Sequence, residues 1–195
     1  RAAVPEWLRL DNAAKIYPAA KTRTWTAVFR LSVTLKEEIL PKVLEEALHN
    51  TLARIPLFGY RLRRGLFWYY LDKQKALPAP QEDVQNPCAR MMLGREQRFL
   101  FRVRYHGGRI AVEIFHSLAD GTGGLTFLMT LVAEYVRLRY GPRIPENAYI
   151  LDVRRPPEAG EWEDSFLKHA REGVRSRGEE KAYALQGTNL LPGRL

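Results

Sequence analysis

The segment "RIAVEIFHSLADGTGGLTFLMTLVAEYVRLRY" (residues 109–140) decides how this chain folds. Its first seven residues place Ile110, Val112 and Ile114 at alternate positions, which predicts a strand. Its last part predicts a helix that runs to about Tyr140 and stops at Gly141-Pro142. Between them lies "HSLADGTGG" (residues 116–124): a histidine at the strand exit, an aspartate four residues on, then three glycines. His116 shares parity with the three apolar strand residues, so it points to their face if the strand runs that far.

Working outward, the strand has a partner just before it. Phe99, Phe101, Val103 and Tyr105 alternate with Leu100, Arg102, Arg104 and His106, and Gly107-Gly108 supplies the turn of a hairpin. Upstream, "QKALPAPQEDVQNP" reads as a loop, with Pro78, Pro80 and Pro87 opposing regular structure. "YRLRRGLFWYYLD" gives two β-like pieces around Arg64-Gly65. "LPKVLEEALHNTLARIP" is an amphipathic helix. Leu40, Val43, Leu44, Ala47, Leu48, Thr51, Leu52 and Ile55 form its apolar stripe, Pro41 suits its first position, and Pro56 ends it. "WTAVFRLSVTL" (residues 25–35) is a strand. Downstream, residues 143–161 are irregular. "EWEDSFLKHAREGV" gives a short helix with Trp162, Phe166, Leu167 and Ala170 on one face, and "EEKAYALQGTNLL" a departing strand. The expected architecture is an α/β (α+β) two-layer sandwich: one mixed sheet with helices on one face.

Composition narrows the function classes. With 46% hydrophobic and 27% charged residues, 195 residues suffice for one domain. The most apolar stretch, residues 125–136, is too short and too polar to span a bilayer. A single cysteine, Cys88, cannot form an internal disulfide. That points to a reducing, cytoplasmic setting, and Cys88 has no neighbouring His or Asp to make it a nucleophile. The net charge of +9 could attract nucleic acid, anionic lipid or a phosphorylated molecule. The positive residues are scattered, however, and no nucleic-acid reading motif accompanies them. They read as a solvated surface.

The chemistry of residues 116–124 admits several readings. A tight strand-to-helix corner needs only glycines and a capping Asp120 or Thr122. A phosphate cradle fits poorly, because "GTGG" follows neither phosphate-loop pattern. A metal pair of His116 and Asp120 lacks companion ligands. A Ser117–His116 dyad fails because adjacent residues point apart. General-base catalysis accounts for more. A neutral imidazole can take a proton from a hydroxyl or amine attacking an acyl group. Asp120 paired with an arginine would lock the turn, and Gly121 would leave room for a thioester.

The residues His116-Ser117-Leu118-Ala119-Asp120-Gly121, an H-x-x-x-D-G motif between strand and helix, resemble the active-site motif of the chloramphenicol acetyltransferase-like superfamily. That superfamily includes alcohol acetyltransferases, plant-type acyl-CoA acyltransferases, carnitine acyltransferases and nonribosomal peptide condensation domains. "LDNAAKIYPAA" and "IPLFGYRLRRGLFWYYL" are similar to bacterial alcohol acetyltransferase-like proteins. The resemblance spans the whole chain but only the first half of the family pattern, whose full members are pseudo-twofold with a tunnel between two lobes. It implies an N-terminal lobe over residues 1–150 and a crossover over residues 151–195 toward a second lobe.

The resemblance also implies roles. His116 is the general base. Asp120 is structural and held by an arginine, with Arg61 or Arg63 as candidates. Gly121 lines the donor channel. No metal or resident cofactor is implied. Acetyl-CoA or another acyl-CoA is the cosubstrate, a small alcohol or amine the acceptor, and nucleic acid is no partner. The cofactor-binding residues fall mostly in the second lobe, and a lone lobe could pair with a second copy through its exposed lobe face. A single histidine stands where condensation domains carry two, which favours the CoA-dependent enzymes. A carrier-protein-dependent condensation domain and a non-catalytic scaffold are the alternatives.

Overall fold

A computed structural model describes residues 5–9, 26–64, 69–84, 86–91, 99–141 and 144–157. All of them belong to the unit Arg1–Asp164. The readings of residues 10–20, 161–174 and 179–191 lie outside the described residues.

The chain order is β1 (Trp7–Arg9), β2 (Val28–Thr34), α1 (Pro41–Arg54), a 3-10 turn (Pro56–Gly59), β3 (Tyr60–Arg64), β4 (Tyr69–Lys73), β5 (Gln81–Glu82), β6 (Phe101–His106), β7 (Arg109–Phe115) and α2 (Gly121–Tyr140). The α+β class and the mixed pairing agree with the sequence. The strands form two sheets, though, and not one. One sheet runs β2-β7-β6-β5 and the other β1-β4-β3. The second exists because the β3–β4 hairpin takes β1 as its third strand, antiparallel to β4. The proline-rich loop also yields two strand residues: Gln81 and Glu82 pair parallel to Arg104 and Tyr105 on β6.

The four-stranded sheet has one apolar and one charged face, as strand parity requires. Phe29, Ile114 and Phe101 form one rung on the apolar face; Leu31, Val112 and Val103 form the next. Helix α2 lies on this face. Its Phe127 stacks on Phe58, with centroids 3.9 Å apart, and meets Phe101 edge-on at 5.2 Å. Burying one such ring contributes about 2–3 kcal/mol. Helix α1 buries Leu44, Ala47, Leu48, Thr51 and Leu52, while Leu40 at its start stays exposed. Leu40 has no side-chain cap to offer, and its N–H instead donates to the Tyr135 hydroxyl of α2 at 2.9 Å. The β6–β7 turn anchors the entry to α1. Gly108 and Gly107 carbonyls accept from the N–H groups of Leu35 and Ile39, each at 2.8 Å. Among the described residues no helix is long and apolar enough to cross a membrane.

Candidate active site

Strand β7 ends at Phe115, so His116 opens the turn. The ladder nevertheless continues one step: the His116 N–H donates to the Ala27 carbonyl at 2.9 Å. Ala27 is buried and sits in the left-handed region, with φ 53°. The Leu118 N–H then donates back to Phe115, and Ser117 and Leu118 are buried. The imidazole itself is half-buried, with the ring of Phe29 at 4.5 Å between centroids. Burial pushes the His116 pKa below its usual 6.5, and the Asp120 charge only partly opposes this. A base held neutral at neutral pH is the form that accepts a proton.

Asp120 is exposed and caps α2. Its Oδ1 accepts from the Gly123 N–H at 2.7 Å, and its carbonyl accepts from Gly124 at 2.9 Å. The corner reading is therefore correct for Asp120. The arginine partner expected for it is not Arg61 or Arg63. On β3, both guanidinium groups donate to Asp72 Oδ2 on β4, Arg61 at 2.8 Å and 3.0 Å and Arg63 at 3.1 Å. The cause is register: Arg61 lies directly opposite Asp72 in the hairpin, and Arg63 is its diagonal neighbour on the same face. Burial raises the Asp72 pKa, but the two arginine bonds outweigh it and leave it lowered.

Gly121, the first residue of α2, is exposed, and a Cβ placed there would meet nothing within 4 Å. Packing within the described residues therefore gives no reason for a glycine at this position. Gly124 is different: a Cβ there would lie 2.8 Å from Ile114 Cδ1 and 2.9 Å from Phe29 Cε2.

Sequence reasoning missed the support on the other face of β7. Glu113 is buried and pairs with Arg30 on β2 at 3.0 Å and Arg102 on β6 at 2.9 Å, one charged rung across three strands. The Cys88 N–H donates to the same carboxylate at 2.8 Å. Arg30 and Arg109 both pair with Asp83, and their bonds hold its pKa below the usual carboxylate value, Arg30 contributing most. The alternation of Arg30, Arg102, Arg104 and Glu113 with apolar residues carried this signal, but it read as a solvated face. Burial raises the Cys88 thiol pKa, and Glu113 adds to the effect, which disfavours the thiolate.

A shallow cleft between α2 and residues 144–154 touches none of the motif residues. It is lined by Thr130, Glu134, Arg137, Asp152 and Arg154, among others, whose charges pair with each other. Among the described residues no group of three or more His, Cys, Asp or Glu side chains gathers as a metal site.

No family model and no curated protein matches the sequence. Solved structures do match the fold. The starter condensation domain of rhizomide synthetase superposes with a TM-score of 0.57 at 14% identity, covering 72% of this chain and 40% of that one. The X-domain from teicoplanin biosynthesis gives 0.56 at 18% identity, covering 89% and 41%. Polyketide synthase associated protein 5 from Mycobacterium tuberculosis gives 0.54 at 17% identity, covering 75% and 38%. The chain thus spans about two fifths of the length of each. It has the fold of a condensation-type half-domain, the CoA-dependent acyltransferase-like fold that the motif led us to expect. At these identities the likeness concerns the fold.

Proposed function

We propose that this chain is the motif-bearing lobe of a condensation-type acyltransferase whose donor is an acyl group held as a thioester on a carrier protein. The observation that carries the reading is His116. It is a half-buried imidazole of lowered pKa at the exit of a central strand, in the turn that leads to Gly121, where a Cβ would meet nothing within 4 Å. In this reading His116 takes the proton from an acceptor amine or hydroxyl as its nitrogen or oxygen attacks the thioester carbon. The new amide or ester bond forms, the carbon–sulfur bond breaks, and the thiolate leaves with the proton returned by the imidazole. Asp120 acts by capping α2 and so fixing the turn. The kinship of fold with condensation domains supports a carrier-bound donor over the free acyl-CoA that the single histidine favoured. The residue in the place of the first histidine, Phe115, is fully buried. The difference between one histidine and two therefore falls in the core.

The test is acyl transfer by the longer protein containing this lobe, with phosphopantetheinyl-carrier and free CoA thioesters as donors. Turnover from the carrier that is lost on His116→Ala supports the proposal. Faster turnover from CoA returns the alcohol acetyltransferase reading. Turnover indifferent to His116→Ala leaves a binding lobe. The X-domain complex with OxyB, which aligns over 88% of this chain, gives that last reading a structural basis.

A further inference from the structure

Strand β2 and the residue before it, Ala27, each meet His116. The Ala27 carbonyl accepts its backbone N–H, and two residues on the Phe29 ring lies against its imidazole, the planes 39° apart. Phe29 is itself wedged. Behind it, at the first turn of α2, stands Gly124, where a Cβ would come within 2.9 Å and 3.0 Å of two ring carbons. The opposite strand closes the notch with Ile114, whose Cδ1 would lie 2.8 Å from the same Cβ. Helix, strand and ring therefore share one space that only a missing side chain provides. A histidine ring rotates broadly about its second side-chain torsion, so a face of known tilt beside it restricts its choice.

We propose that Phe29 is the positioning residue for His116 and that Gly124 is the notch that seats Phe29, so that helix packing sets the tilt of the imidazole. The inference rests on the reading of His116 as the base, but its geometry can be tested apart from activity. Phe29 also covers one side of the ring; among the described residues, the Asp120 carboxylate acts on the imidazole and raises its pKa.

The chain has four histidines, so carbon-13 labelling of histidine gives few signals and His116→Gln assigns the one of interest. Phe29→Leu and Phe29→Met remove the aromatic face while keeping apolar bulk. Each is expected to move the His116 ring protons downfield, to raise the titration midpoint toward 6.5, and to lower kcat/KM about tenfold. Phe29→Tyr restores all three, and Gly124→Ala shifts the His116 signals as the ring is displaced. Unchanged His116 signals in a folded Phe29→Leu or Phe29→Met variant overturn the proposal, as does a shift in Phe29→Tyr equal to that in Phe29→Leu. If the signals move as stated while His116→Ala leaves turnover intact, the positioning stands and the catalytic reading falls.

Discussion

Glu113 and Arg30 meet at 3.0 Å across β2 and β7, with Glu113 only 1% exposed, and this pair braces the strand that ends one residue before His116. Arg102 completes the rung from the other side at 2.9 Å. Removing one member of a buried ion pair leaves the others desolvated without compensation. Glu113→Ala is therefore expected to cost about 3–5 kcal/mol. The checking measurement is the midpoint of urea unfolding at constant slope. A loss below 1 kcal/mol would show the rung to be hydrated in solution.

The two glycines at the start of α2 are expected to respond in opposite ways. Gly121→Ala fills open space at a helical position and is expected to raise stability by about 0.5 kcal/mol. If Gly121 borders the donor channel, the same variant lowers turnover while melting slightly higher. Gly124→Ala forces Phe29 and Ile114 aside and is expected to cost about 1–3 kcal/mol. Adding Phe29→Leu to it should recover part of that loss. Thermal melts of the two single variants and the double variant check all three statements.

Asp120 works as a cap, so hydrogen-bonding capacity matters more than charge. Asp120→Ala is expected to lose about 1 kcal/mol. Asp120→Asn should retain most of the stability, because asparagine caps comparably. Charge still matters at one point. The carboxylate raises the His116 pKa against burial, so Asp120→Asn should lower the His116 titration midpoint further. Chemical-shift titration of His116 in the variant reads this directly.

Acid titration should destabilise the protein in two stages. His116 has a lowered pKa in the folded state, so the unfolded chain binds its proton first as pH falls. Its contribution is whole above about 6.5 and is lost as pH falls through the lowered folded value. His116→Gln should remove this first slope. Asp72 and Asp83 are also lowered, from 3.8. Their contribution is whole above that value and lost as pH falls through their folded pKa values. Unfolding midpoints taken from pH 8 to pH 3 check both windows. A profile flat between pH 7 and 5 in wild type would contradict the burial of His116.

Local pattern was enough to place most elements. Alternation in residues 99–105 and 109–115, with Gly107-Gly108 between, wrote the β6–β7 hairpin because successive strand side chains point to opposite faces. The apolar stripe of α1 and its flanking prolines marked that helix almost to the residue. The site was legible in part. His116, Asp120 and Gly121 lie in one short stretch of sequence, so the turn that joins them needs no distant partner. Arg61 and Arg63 went elsewhere because their neighbour is set by hairpin register, which the sequence of the first helix's exit does not encode.

The sequence by itself determined the strand–turn–helix unit, the histidine at its corner and the cap on the helix, because each depends on residues within a few positions of one another. Tertiary structure alone decided the split into two sheets, the charged rung beneath β7 and the seat of Phe29 against His116. Arg30 and Glu113 stand 83 positions apart in sequence, and Phe29 and Gly124 are similarly distant. No local propensity records which side chain a strand meets across a sheet. That follows from register and from how closely a helix can approach, and here a glycine sets the approach.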